Sequence, residues 1–171
     1  MKRYIGLAVF FLALIFIPIT GKTEDALFYN QKGLDELRSN NLTGAVDFFT
    51  RAIAIDPSQK HYYNNLAAAY IRLGKYNKAE ENLKKSLSLD SNNAKALSNM
   101  SLTLFYLGKY RESYDYYTKS KKVDSKYTKK RFNKERMSSS VNKMSIERPD
   151  DEELKKIKKY LDSDLRLKIM D

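Results

Sequence analysis

The chain repeats itself at an interval of 34 residues, and this period limits its possible folds more than any other feature of the sequence. The motif LGKY begins at Leu73 and returns at Leu107. A shift by one period in the other direction aligns residues 27–49 with residues 61–83. A fixed period of this length is typical of stacked supersecondary units that bury a continuous core between neighbours. We therefore expect a repeat array.

Within each period, the residues indicate two antiparallel helices joined by a short turn. Tyr63, Leu66 and Tyr70 are spaced three and four apart, which is typical of one face of a helix. A left-handed residue closes a helix at little cost when it is glycine, and asparagine is the next best choice. Such a residue stands at the expected turn in all three units: Asn40, Gly74 and Gly108.

Small and large residues alternate in the same way in every unit. Close approach of two helices requires small side chains, and large apolar side chains fill the gaps between them. The recurring small sets are Gly33, Ala67, Ser101, then Ala45, Ala79, Ser113, then Ala52, Ser86, Ser120. An aspartate ends each unit, where its side chain is expected to cap the following helix: Asp56, Asp90 and Asp124.

This pattern closely resembles the tetratricopeptide repeat, with units at residues 26–59, 60–93 and 94–127. The resemblance implies an all-α, right-handed α-solenoid of three helix-turn-helix units. In the first unit, Lys32 and Glu36 replace apolar residues of the later units. A first repeat has no neighbour on its outer side, so polar residues there are expected of a terminal unit.

The remaining residues divide the chain into further segments. Residues 22–137 form the predicted repeat domain, which ends in a capping helix at 126–137. Small polar residues predict a linker at 138–149, and the tail at 150–171 is predicted to be helical, because its acidic residues come first and its leucines share one face.

Residues 1–21 are predicted to be a signal peptide or an N-terminal membrane anchor. Lys2 and Arg3 precede an uncharged apolar segment, and small residues follow it. Either cleavage after Gly21 or retention of residues 4–20 as an anchor predicts an exported, periplasmic or otherwise extracytoplasmic protein. The absence of cysteine excludes disulfides and thiolate metal sites.

The resemblance also implies a binding site, because the first helices of such repeats line a concave groove that binds peptides or partner proteins. Amides offer both a donor and an acceptor to a partner's backbone. Only Asn65 and Lys95 match the carboxylate clamp with which some members of the family bind acidic chaperone tails. The predicted groove residues are Asn30, Gln31, Leu34, Arg38, Asn64, Asn65, Ala68, Arg72, Lys95, Ser98, Asn99, Leu102 and Tyr106.

A basic segment at residues 119–136 is the alternative site. Most of the net charge of +11 lies in this part of the chain, and such clusters attract phosphates and other anionic surfaces. Export argues against nucleic acid and leaves an anionic membrane or a cell-wall polymer, or else a solvated capping helix. The patch comprises Lys121, Lys122, Lys126, Lys129, Lys130, Arg131, Lys134 and Arg136.

Catalytic and cofactor motifs do not emerge from the sequence. His61, the single histidine, has no matching serine or cysteine arrangement. We therefore expect a non-enzymatic adaptor of the cell envelope that needs no cofactor or metal and binds a protein or peptide.

Overall fold

A computed structural model describes the backbone of residues 20–132 and 134–167, and the side chains of residues 24–132 and 137–159. The predicted signal or anchor therefore lies almost entirely outside the described residues. Among the described helices, none combines the length and apolar character needed to cross a membrane. This part of the chain is all-α, and its helices are α1 Thr20–Arg38, α2 Leu42–Ile55, α3 Lys60–Arg72, α4 Tyr76–Leu89, α5 Ala94–Tyr106, α6 Tyr110–Val123, α7 Ser125–Arg131, α8 Lys134–Glu147 and α9 Glu152–Leu167.

Helices α1 to α6 form three antiparallel pairs, and each pair turns at the predicted residue. The backbone φ angle is +66° at Asn40, +71° at Gly74 and +79° at Gly108. This left-handed conformation is strained for most residues and mild for glycine or asparagine. The predicted turns are confirmed, and with them the boundary between the two helices of each unit.

The small residues lie where the helices approach most closely. A Cβ atom at Gly33 would lie only 2.6 Å from the ring of Phe49, so α1 and α2 meet at this glycine. In the second unit, the groove between α3 and α4 receives one face of α5. The buried side chains of that contact are Ala67, Ala79 and Leu83 from the second unit with Ala96, Met100 and Leu104 from α5.

The aspartates at the unit ends act differently from the prediction. Asp56 and Asp90 each accept the backbone N–H two residues later, at 3.0 Å, and so close the loop rather than cap a helix. Asn93 caps α5 instead. Of the three, Asp124 caps a helix directly, accepting the N–H of Tyr127 at 2.8 Å, because its loop is shorter.

The predicted linker at residues 138–149 is wrong over most of its length, because α8 continues to Glu147. Val141 and Met144 are each 1% exposed and pack with Leu154 of α9 against Phe105 of α5. Burial of this apolar face outweighs the modest helix propensity of the surrounding serines. The predicted capping helix at 126–137 is also shorter than expected, since α7 ends at Arg131.

Helices α8 and α9 form a hairpin that is held on the third unit by polar contacts. Tyr110 donates a hydrogen bond to an Asp151 carboxylate oxygen at 2.6 Å, and Arg148 donates to the Tyr106 carbonyl oxygen at 2.6 Å. Burial, together with the Asp151 carboxylate, raises the pKa of Tyr110 to about 12. The bond from Tyr110 lowers the pKa of Asp151. The two groups therefore hold each other in the forms that bind, neutral phenol and ionised carboxylate, at neutral pH.

Candidate partner-binding groove

Side-chain amides join the first helices of the three units into one surface. Asn65 of α3 donates to the Asn30 side-chain oxygen of α1 at 2.9 Å. One period later, Asn99 of α5 donates to the Asn64 side-chain oxygen at 3.0 Å. The amides predicted to line the groove therefore lie side by side, but they form hydrogen bonds with one another between neighbouring repeats.

Several of the predicted groove residues are buried and therefore inaccessible to a partner. Asn30 and Asn64 are each 8% exposed, Asn99 is 7% exposed and Ser98 is fully buried. The Ser98 hydroxyl lies 2.7 Å from that of Ser120 on α6. A polar side chain that is buried between two helices must be hydrogen-bonded internally, and here each one bonds a residue of a neighbouring helix.

Other predicted groove residues remain accessible to a partner. Gln31 and Lys95 are exposed, and Asn65 is half-buried. A primary amide carries two N–H donors and a carbonyl oxygen, so the bond from Asn65 to Asn30 leaves further capacity for a partner. Half-buried apolar side chains flank this row: Leu34, Ala68 and Leu102.

Two of the predicted groove residues, Arg38 and Arg72, contact other residues of the protein instead. Arg38 is exposed and pairs with Asp35 of its own helix at 2.8 Å. Arg72 donates to the Leu37 carbonyl oxygen and, at 2.6 Å, to the Asn40 side-chain oxygen. The last carbonyls of a helix lack intrahelical partners and carry partial negative charge, so Arg72 closes the C-terminus of α1.

Tyr106 belongs to the contact with the C-terminal hairpin. Its ring stacks on Tyr76 at 4.7 Å between centroids with an interplanar angle of 9°. Its hydroxyl donates to the Ser140 hydroxyl of α8 at 3.1 Å. This contact was not predicted because residues 138–149 were expected to be a linker, although Val141 and Met144 at a spacing of three indicate a packed helix.

Arg131, predicted as part of the basic patch, reaches the groove instead. Its guanidinium lies 3.5 Å from the Asn99 side-chain oxygen, at the end of the groove formed by α5 and α7. Arg131 is the last residue of α7, which brings its side chain beside α5. Lys95 lies about one turn before Asn99 on α5, so two cationic side chains belong to this end of the groove.

The remaining basic residues form an exposed surface on the end of α6 and on α7. Positive side chains on one face are compatible with either a solvated cap or an anionic surface. The side chains of Lys134 and Arg136 lie outside the described set. The exposed members are Lys121, Lys122, Lys126, Lys129 and Lys130.

His61 lies away from any catalytic arrangement. Its ring stacks edge-on against Tyr62 at 4.4 Å. Burial, reinforced by the charge of Lys60, lowers its pKa below the usual value, so the ring is neutral at pH 7. Among the residues that the structure describes, no group of three or more histidine, aspartate or glutamate side chains is placed to bind a metal ion.

Two family models, both described as tetratricopeptide repeat, match residues 62–93 and 94–127. The human small glutamine-rich tetratricopeptide repeat-containing protein beta is 42% identical over 48 residues, which are 28% of this chain and only 16% of that protein. The chain thus matches about a sixth of that relative's length.

Solved structures show the same repeat geometry. The tetratricopeptide repeat (TPR) domain of Arabidopsis OM64 has a TM-score of 0.62 and 25% identity, covering 64% of this chain and 93% of that domain. The second TPR of Spaghetti (RPAP3), solved bound to the HSP90 peptide SRMEEVD, has a TM-score of 0.59 and 23% identity, covering 61% and 96%. With the repeat period, the positive-φ turns and the three helix pairs, these matches show that residues 62–127 are tetratricopeptide repeats and that the chain has the fold of a TPR domain.

Proposed function

We propose that this protein is a non-enzymatic adaptor that binds an extended segment of a partner protein along its first helices. The observation that carries this proposal is the row of accessible polar groups at Gln31, Asn65 and Lys95 beside half-buried apolar side chains. Accessible apolar positions next to hydrogen-bonding groups are typical of interaction sites. The peptide bound to the second TPR of Spaghetti supports the same use of the fold.

The chemistry of the open groove favours a partner with backbone polar groups and some negative charge. Gln31 and Asn65 can bond an extended backbone, whose N–H and C=O groups need partners once they leave water. Lys95, about one turn before Asn99 on α5, and Arg131, 3.5 Å from the Asn99 side-chain oxygen, favour an acidic residue near that end. Asn30, Leu34 and Asn99 stand where the carboxylate clamp of other members needs different residues, so that particular clamp is not proposed.

The replacement Asn65→Ala should weaken partner binding by about 1–3 kcal/mol, because a partner's backbone group would lose its hydrogen bond in a partly dry groove. The partner is the protein recovered from cell extract with this chain as bait. Titration calorimetry on that pair measures the effect.

Asn64→Ala is the matched control for this replacement. Both variants remove one inter-repeat amide bond, at 2.9 Å and 3.0 Å, but Asn64 is buried and Asn65 is half-buried. Similar thermal destabilisation is therefore expected of both, with loss of binding in the Asn65 variant alone. Equal affinities of the two variants for the partner would contradict the proposal.

A second candidate function, binding of an anionic membrane or polymer, is favoured by the exposure of Lys121, Lys122, Lys126, Lys129 and Lys130. Charge reversal at Lys129 and Lys130 separates it from the first, since neither side chain reaches the groove residues named above. If these reversals abolish a binding that also weakens steeply with salt, and Asn65→Ala does not, the surface-binding function replaces the adaptor.

We also propose that the repeats act outside the cytoplasm. The support is the composition of residues 1–21, where two cations precede an apolar segment. Cell fractionation with N-terminal sequencing should find either a chain beginning near Lys22 or a membrane-bound chain whose repeats are accessible to external protease. Full-length chain recovered in the cytoplasmic fraction would contradict this.

A further inference from the structure

A cavity of about 1170 Å³ lies beside the third repeat. Helices α5 and α6 form its floor, and residues of α7, α8 and α9 line its other sides. Its volume is slightly above the range for small-molecule sites, which is roughly 300–1,000 Å³. Its apolar lining includes Leu102, Phe105, Tyr114, Tyr117, Phe132 and Ile157.

The cavity exists because the third repeat lacks the neighbour that the second one has. In the second repeat, Ala96, Met100 and Leu104 of α5 fill the groove between α3 and α4. One period later, the corresponding positions are Lys130, Lys134 and Ser138, which are polar. The chain covers this groove with α7 and with the α8–α9 hairpin, and the space between them stays open.

The shape of this space favours a chain-like ligand over another helix. An α-helix with its side chains is about 10 Å across, and docking one in the groove would displace Met137, Ser139 and Ser140 of α8, which line the cavity. An alkyl chain needs no such displacement. Its methylene groups would take the place that a row of apolar side chains takes in the second repeat.

Charged side chains at the cavity indicate the charge of the ligand's head group. Arg111 and Arg131 both line it, and so does Glu153. The Glu153 carboxylate is paired with Lys156 at 3.1 Å, which offsets much of its charge, whereas guanidinium groups bind carboxylates in a bidentate geometry. The charge of the side chains that line the cavity is therefore positive overall, and this favours a negatively charged head group.

We propose that this cavity binds a single-chain amphiphile with a carboxylate head group, the alkyl chain lying over α5 and α6 and the carboxylate pairing with Arg111 or Arg131. The site shares Leu102 and Arg131 with the end of the proposed groove, whereas Arg111 and Ser139 belong to the cavity alone, so Arg111→Gln and Ser139→Trp test it separately from Asn65→Ala.

Titration calorimetry of the whole chain with octanoate, decanoate and dodecanoate, below their micelle-forming concentrations, tests the proposal. Each buried methylene group should strengthen binding about fourfold, so two more should do so about fifteenfold. Replacement of the responsible arginine by glutamine should weaken decanoate binding about tenfold or more. The matched control is Lys119→Gln, because Lys119 lies on the same helix as Arg111 but does not line this cavity.

Ser139→Trp distinguishes this cavity from the apolar N-terminal residues, which could bind fatty acids nonspecifically. Ser139 is exposed and lines the cavity, so an indole there should obstruct part of the space and weaken saturable binding without loss of helix content. The proposal is overturned if no carboxylate binds saturably, if Ser139→Trp binds decanoate like the unaltered chain, or if Arg111→Gln and Arg131→Gln each leave the affinity unchanged.

Discussion

Replacing Phe49 by alanine should lower the free energy of unfolding by about 3–5 kcal/mol. The side chain is fully buried and packs with Ala45, Leu66 and Ala69, so it joins α2 to the second repeat as well as to α1. Its ring also fills the space above Gly33. Its removal would leave a cavity at the point where the first two helices cross, which the rigid helix pair cannot close.

Urea unfolding followed by circular dichroism measures this effect, and hydrogen exchange in α1 localises it. Repeat arrays are stabilised by nearest-neighbour contacts, so the first repeat should exchange faster than the second in the Phe49→Ala variant. Phe48→Ala is the matched control, because Phe48 is half-buried and stacks on Tyr29 at 6.2 Å. A cost for Phe49→Ala no greater than that for Phe48→Ala would mean that the first helix pair is packed differently.

Ala79→Leu should lower the free energy of unfolding by about 1–3 kcal/mol, because it overpacks the second repeat. Ala79 is fully buried among Ala67, Leu83 and Met100, where α3, α4 and α5 meet. A leucine there has no space unless the helices separate. Thermal and urea unfolding of the variant measure the effect, and unchanged stability would contradict the assigned repeat frame.

Ser113→Leu places a leucine at the equivalent position of the third repeat. We expect it to lower the free energy of unfolding by less than Ala79→Leu does. Ser113 donates to the Ser101 carbonyl oxygen at 2.8 Å, and that bond would be lost. However, Ser113 also lines the open cavity beside the third repeat, which can accept the leucine side chain. An equal or larger cost would show that the third repeat is closed like the second.

The repeat period predicted the parts of the fold that depend on local packing rules. Asn40, Gly74 and Gly108 turn as expected because the left-handed backbone limits the residues that can stand there. The small residues lie at helix crossings because bulky ones cannot. Both signals are short-range and repeat three times, so they can be predicted without knowledge of tertiary contacts.

The features that were missed depend on contacts between repeats or beyond them. Asn64 and Asn65 are adjacent and chemically identical, yet the first is buried and the second is only half-buried, since the helix turns by about 100° per residue. Arg72 was assigned to the groove but bonds the preceding repeat. The α8 helix depends on burial of Val141 and Met144 against α5, a surface that the sequence alone did not show to be available.

Site-specific photo-crosslinking tests partner binding along the first helices most directly. A photoreactive amino acid at Ala68, half-buried on α3 one turn from Asn65, is compared with the same amino acid at Lys85, exposed on the second helix α4. We predict that the partner crosslinks at position 68 and not at position 85. Crosslinking at 85 without crosslinking at 68 would contradict the proposed groove.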